Sequence, residues 1–430
     1  MMARRLALTL GVAGLLFPLH ASAQSVDPPR DAEILAAQRA GEITLSVRGQ
    51  GEDKVRFAIK NTSGKRLNVI IPPGLVASAS AGQGGGFQSM GLGTPTSGGG
   101  FGSFLGTQAV DNGGGFRSVP VVANTPGVVV PAGQSVEFSL PSVCLNYGIA
   151  TPTPRNEFKL VDVNEYSPDQ RVRRALRSLS TLGTSQGVAQ AVMWHVCNGL
   201  SFEQLASNGA KALNSREIAV AARFVAALDA SSASDELVTL GAINQNRLQY
   251  RVQAEGKLAK DAQRLNSELD GRPIMGLPAR FVADLDRSAD NLSAVHMSVY
   301  LTLADNGKIR GKVVLRHAES EAGWTSIGTA KLVEDLDISE LNGPTLADVL
   351  DRSVAAGFVS TRVVSRAGGL TKLKVDSKLP LTVADMALRT GKSADETTLF
   401  RGIGLGPNRS VPATVSAAGA RVERVVLNGL

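Results

Sequence analysis

Two cysteines, a glutamine and a serine are the residues of this chain whose types and spacing suggest covalent chemistry. The chain holds two cysteines, Cys144 and Cys197. Cys144 follows an alternating apolar run, Val136, Phe138 and Leu140, so it stands at or just past a strand end. Cys197 closes an apolar helical pattern that starts near Ser185 and is stopped by Asn198-Gly199. In an oxidising compartment two cysteines usually pair. A Cys144–Cys197 disulfide would close a loop of about fifty residues and contribute roughly 3–4 kcal/mol in the chain-entropy model. Gln190, Trp194 and Cys197 fall at i, i+4 and i+7, on one helical stripe. A geometry that brings Cys144 to Cys197 therefore brings it within about two turns of Gln190. Two free thiols are the remaining alternative.

Gly183-Thr184-Ser185-Gln186-Gly187 matches G-x-S-x-G, in which a serine nucleophile sits on a strand–turn–helix elbow. The helix is expected and the strand is not, because Ala175 to Leu182 reads as a capped amphipathic helix. Ser185 then reads as a helix N-cap, with a hydrolase as the alternative. His195, His296 and His317 lie far apart, in no zinc-ligand spacing, so no metal is expected. Gly402-Ile403-Gly404-Leu405-Gly406 is a glycine string without a strand–helix–strand setting, and no cofactor is expected.

The stretch from residue 143 to 207 resembles the thioester domains of bacterial surface adhesins. The matching pieces are Val143-Cys144-Leu145, the proline-containing exit to Pro154, and Ala189-Gln190-Ala191-Val192-Met193-Trp194. The resemblance implies that Cys144 supplies a thiol and Gln190 an acyl group. An amine on a host or matrix protein would then attack the thioester, once per molecule.

The elements that must position these residues follow from patterning. Arg4 and Arg5, the short apolar run Leu6–Leu19 and Ala21-Ser22-Ala23 form a bacterial-type leader with cleavage near Ala23, so a secreted or periplasmic location is expected. No later apolar run is long enough for a membrane span. The net charge of +7 is spread thinly, which argues against a nucleic-acid partner and leaves an envelope polymer or a protein. Low aromatic content, 4%, and 46 glycines favour β-rich modules with many turns.

Strand alternation at Ile43–Val47 and Val55–Ile59 predicts an N-terminal antiparallel β-sandwich over 42–150. A Gly/Phe-rich insertion at 79–118 interrupts it, with Phe87, Phe101 and Phe116 after glycine triplets. It reads as a flexible loop, with the phenylalanines as spaced binding anchors in the sharper reading. A small helical cluster is expected over 151–232. It opens at Ser167-Pro168-Asp169-Gln170 and continues through capping boxes at Ser201–Gln204 and Asn214–Glu217. A C-terminal antiparallel β-rich domain covers 245–430, with hairpins at Asn306-Gly307, Gly368-Gly369 and Ala418-Gly419 and a helix over 345–356. The fold class is multidomain, mainly β with an α subdomain. The expected function is non-catalytic binding or structure at the bacterial envelope or outside it, as in an adhesin.

Overall fold

A computed structural model describes residues 28–79, 86–93, 127–208, 213–232, 237–289, 291–320, 323–389, 391, 397–415 and 420–430. The leader, Phe101 and Phe116 lie outside the described residues. The chain is mainly β, with several sheets and a helical subdomain.

The N-terminal part contains β1 (Arg30–Glu33), α1 (Ile34–Arg39), β2 (Ile43–Gly49), β3 (Lys54–Asn61), β4 (Leu67–Ile70), β5 (Leu75–Ala79), β6 (Met90–Leu92), β7 (Gly127–Val130), β8 (Ser135–Cys144) and β9 (Phe158–Asp162). Three strands, β1-β4-β7, face six, β2-β3-β8-β6-β5-β9. Phe57, Ile59, Val69 and Leu140 are buried in the core these strands share. Two expectations change. The β1–β4 pair is parallel, so the sandwich is not wholly antiparallel. Residues 86–93, expected in a flexible insertion, supply β6 to the larger sheet. Phe87 is 7% exposed and packs edge-on against Phe158, so it is a core residue and not a solvent-facing anchor.

The helical part contains α2 (Val163–Tyr166), α3 (Gln170–Leu182), α4 (Gln186–Asn198), α5 (Phe202–Asn208), α6 (Ser215–Ala230) and α7 (Leu240–Asn244). Helix α3 is capped by Asp169, whose side chain accepts from the Arg171 N–H. Ser167 instead accepts from the Asp169 N–H, so the expected start was two residues early. Ser185 caps α4, Ser201 and Gln204 close a reciprocal box, and Asn214 with Glu217 forms the capping box of α6. Helix α4 is apolar nearly all round and is the helix that packs on β8, α3 and α6.

The C-terminal part contains β10 (Leu248–Ala254), α8 (Ala259–Glu268), β11 (Pro273–Ile274), β12 (Leu277–Phe281), β13 (Val295–Leu303), β14 (Lys308–Ser320), β15 (Gly323–Lys331), β16 (Leu336–Asp337), α9 (Gly343–Phe358), β17 (Val359–Ala367), β18 (Leu370–Ser377), β19 (Val383–Arg389), β20 (Thr397–Leu405), β21 (Ser410–Val415) and β22 (Arg421–Leu427). One sheet runs β11-β12-β10-β13-β14-β15, with β16 paired to β14; two three-stranded sheets run β17-β18-β21 and β20-β19-β22. All three share one apolar core with α8 and α9. The expected antiparallel domain is in fact mixed, because β10 pairs parallel to both β12 and β13. The hairpin turns at Gly307 and at Gly368-Gly369 form with positive φ. Strands β21 and β22 belong to different sheets and do not form the hairpin expected between them.

Candidate functional site

Strand β8 organises the junction of sandwich and helices. Its first part pairs with β3 as far as Pro141, and the Ser142 N–H still donates to the Asp53 carbonyl at 2.8 Å. Its last part pairs with β6 through Ser142, Val143 and Cys144, continued by Leu145 N–H donating to Ser89 O. Main-chain groups of a strand alternate between its two edges. Residues 142 and 144 therefore present their polar groups on the side where β3 has ended.

Helix α4 fills that edge with two glutamines one turn apart. The Gln186 amide donates to the Ser142 carbonyl. The Gln190 carboxamide accepts from the Cys144 N–H at 2.8 Å and donates to the Cys144 carbonyl at 2.9 Å. The spacing fits because four residues of helix rise about 6 Å and two residues of strand about 6.7 Å. Side-chain amides thus extend the ladder as a third strand would, and Gln190 is buried doing it.

Side chains alternate as the main chain does. Val143 and Leu145 enter the helical core, whereas Cys144 enters the sandwich core. Its thiol donates to the Glu52 carbonyl at 3.4 Å. Burial, then the nearby Glu52 and Asp53 charges, push the Cys144 thiol up to about 12. Burial, with Asp169 beside it, does the same for Cys197. Both are protonated at neutral pH and weak as nucleophiles.

The expected Cys144–Cys197 disulfide is not formed; both thiols are free. Gln190 fixes the position of α4 against Cys144, and Cys197 lies seven residues, about 10 Å, further along the helix. A disulfide needs α-carbons about 4.4–6.8 Å apart. Trp194, midway on the same stripe, does reach both cores and packs edge-on against Tyr147.

Ser185 lies at a second junction, where α4 and α6 meet the turn between β20 and β21. It is 2% exposed. Its hydroxyl accepts from Val188 N–H and donates to Glu217 Oε1, each at 3.3 Å. The Glu217 carboxylate, 1% exposed, is forked by Arg409 at 2.6 and 3.3 Å. A β-carbon on Gly187 would lie 2.3 Å from Glu217 Cδ, and one on Gly406 2.7 Å from Ser185 Cβ. Each glycine of G-x-S-x-G has a structural task here: Gly183 ends α3 in the left-handed region, and Gly187 makes room for Glu217. Helix α3, not a strand, precedes Ser185, so the elbow geometry is not present.

The histidines sit apart. His195 bonds the Leu200 carbonyl and stacks on Phe202; His296 bonds Gln249 and stacks on Trp324; His317 meets Arg216. Among the described residues no group of three or more His, Cys, Asp or Glu is placed to hold a metal ion, and no helix is long and apolar enough to cross a membrane.

Further ties join the helical and C-terminal parts. Leu430 is fully buried in the helical core, and the Asn428 amide donates to the Leu182 and Gly183 carbonyls. Arg247, fully buried, donates to Asn244 Oδ1 and to the carbonyls of Ser293 and Gly429. Sequence reasoning missed Gln186, Arg409 and Arg247, whose main-chain or ionic partners Ser142, Glu217, Ser293 and Gly429 lie far away in the chain. Glu217 was visible as a capping residue, but its ion pair was not. No protein-family model matches the chain, and neither a curated protein nor a solved structure matches it.

Proposed function

We propose that the chain is a non-catalytic binding or structural protein of the bacterial envelope or exterior. One observation carries this reading. At the two junctions Gln186, Gln190 and Glu217 are each committed to main-chain or ionic bonds that join one part of the protein to another, and Ser185 is committed to Glu217. Ser185 and Cys144 are both buried, which suits scaffolding better than turnover. The leader pattern at residues 1–23 supports export.

The test is a binding measurement with the full chain against purified envelope polymers and matrix proteins, together with fluorophosphonate labelling. Saturable binding without labelling is expected. Labelling that disappears in Ser185→Ala would overturn the reading.

A second reading is covalent adhesion through a Cys144–Gln190 thioester. The nearness of the Gln190 carboxamide to residue 144 is what supports it, although the contact is to the Cys144 main chain and the thiol would have to turn from the Glu52 carbonyl to reach it. The bond would form by attack of the Cys144 sulfur on the Gln190 carbonyl carbon, with ammonia leaving. Intact mass of the unreduced protein decides: a loss of one ammonia favours the thioester, and the full mass with two alkylatable thiols removes it.

A further inference from the structure

The hairpin of β17 and β18 in the C-terminal part is exposed along most of β17 and around its turn, while alternate residues of β18 are buried. Every residue from Arg362 through Leu370 is exposed. Strand β17 is an edge strand, hydrogen-bonded to β18. The register shifts between Val363 and Ser365, which leaves Val364 as a bulged residue, 57% exposed. Val363 and Leu370 are 45% and 46% exposed. Arg362, Lys372 and Lys374 share one face of the hairpin with Leu370, and Arg366 shares the other with Val363. Asp376, at the base, pairs with Arg362 and Lys374 at 3.4 and 3.2 Å. Among the described residues no carboxylate pairs with Arg366 or Lys372. Arg362 stands directly opposite Lys374 in the ladder, a like-charge pairing that weakens a sheet.

Cations and a bulge are ordinary guards of a sheet edge against unwanted pairing. That explanation has no use for three aliphatic side chains in water beside them. A soluble polyanion would also be met by the cations alone. Aliphatic tips flanked by cations suit a surface that is negative outside and apolar just beneath, and headgroup attraction extends to basic groups within a Debye length.

We propose that the β17–β18 hairpin docks on an anionic lipid surface. The hairpin enters end-on: Leu370, beside the turn, reaches the acyl boundary, Arg366 and Lys372, on its two faces, meet the headgroups, and Val363 and Val364 follow at the interface. This inference rests on the envelope-binding reading above and names its partner.

The experiment is co-sedimentation of the full chain with vesicles of phosphatidylcholine mixed with phosphatidylglycerol, beside vesicles of phosphatidylcholine alone. Binding to the mixed vesicles, weakened by salt, is expected. Arg366→Glu with Lys372→Glu is expected to lower affinity about tenfold or more. Val364→Ser with Leu370→Ser is expected to do likewise, with the circular dichroism spectrum and melting temperature unchanged because the side chains are exposed. Charge reversal at Lys60, exposed on the sandwich, should leave binding as it was. No binding to mixed vesicles, equal binding to neutral ones, or hairpin variants that bind like the parent overturns the proposal. Capture by a soluble polyanion such as dextran sulfate without vesicle binding overturns the lipid surface and leaves the envelope-binding reading standing. A concentration-dependent dimer that Val364→Ser abolishes, without vesicle binding, assigns the edge to a second copy and overturns it too.

Discussion

The Gln190 carboxamide closes both outward main-chain hydrogen bonds of Cys144, at 2.8 and 2.9 Å, from a helix packed across the end of a sheet. A side chain here does the work of a strand. The pair sits where the sandwich core and the helical core meet, so it registers one against the other.

Truncating that amide leaves a buried N–H and a buried carbonyl without partners. Each unsatisfied group costs about 1–3 kcal/mol. Gln190→Ala is therefore expected to lower stability by about 2–4 kcal/mol in chemical denaturation. Gln190→Glu should also destabilise, because a carboxylate cannot donate to the Cys144 carbonyl. A loss below about 0.5 kcal/mol in Gln190→Ala would mean that water serves the strand end equally well.

The Glu217–Arg409 pair gives a second expectation. Removing Arg409 strands a carboxylate that is 1% exposed. Breaking buried pairs costs about 3–5 kcal/mol, and the partly exposed Arg409 end lowers that to about 2–3. Arg409→Ala should therefore loosen the attachment of the C-terminal part and lower the denaturation midpoint. Gly406→Ala tests the same contact sterically, since the new methyl meets Ser185 Cβ at 2.7 Å; a cost of about 1–3 kcal/mol is expected. Unchanged denaturation midpoints in both variants would separate the ion pair from the stability of this junction.

Helix caps were legible in the sequence because they are local: Ser185, Ser201–Gln204 and Asn214–Glu217 act within one turn of their own helices. Strand β6 was not legible. Its three residues lie next to a glycine-rich run and owe their conformation to β5 and β8 on either side. The parallel pairing of β10 was hidden for the same reason, since alternation fixes the faces of a strand and not its neighbours. The stripe of Gln190, Trp194 and Cys197 was legible as a face, but which of its residues meets Cys144 was not. Gln190 meets Cys144 through the main chain, and Cys197 is carried two turns away.

The Cys144 thiol should be silent until the chain unfolds, and the partly buried Cys197 thiol slow. Their values near 12 lie above an ordinary value near 9, so the folded state keeps its protons where the unfolded state loses them. The contribution is whole below about pH 9 and is lost as pH rises towards 12. Thiol reagents at pH 8 should label the native protein far more slowly than free cysteine, and the denatured protein at once. Denaturation midpoints should fall between pH 9 and 11, less steeply in Cys144→Ala. Fast labelling of Cys144 in the native protein would contradict its burial.

His296 gives an expectation on the acid side. It is 1% exposed, bonds Gln249 through Nε2 and stacks on the Trp324 ring. Burial foremost, and then Arg316, lower its value from 6.5 to about 4; Asp286 and Asp284 oppose the shift and Arg287 adds to it. The unfolded state therefore takes up a proton before the folded state does. Stability is whole above about pH 6.5 and drains as pH falls towards 4, by at most about 3 kcal/mol for this one group. Denaturation followed by tryptophan fluorescence from pH 7 to 4 should show that loss, with an emission change as the imidazolium forms against Trp324. In His296→Gln the acid slope should be shallower. A parent and a variant that lose stability in parallel would place the acid sensitivity elsewhere in the chain.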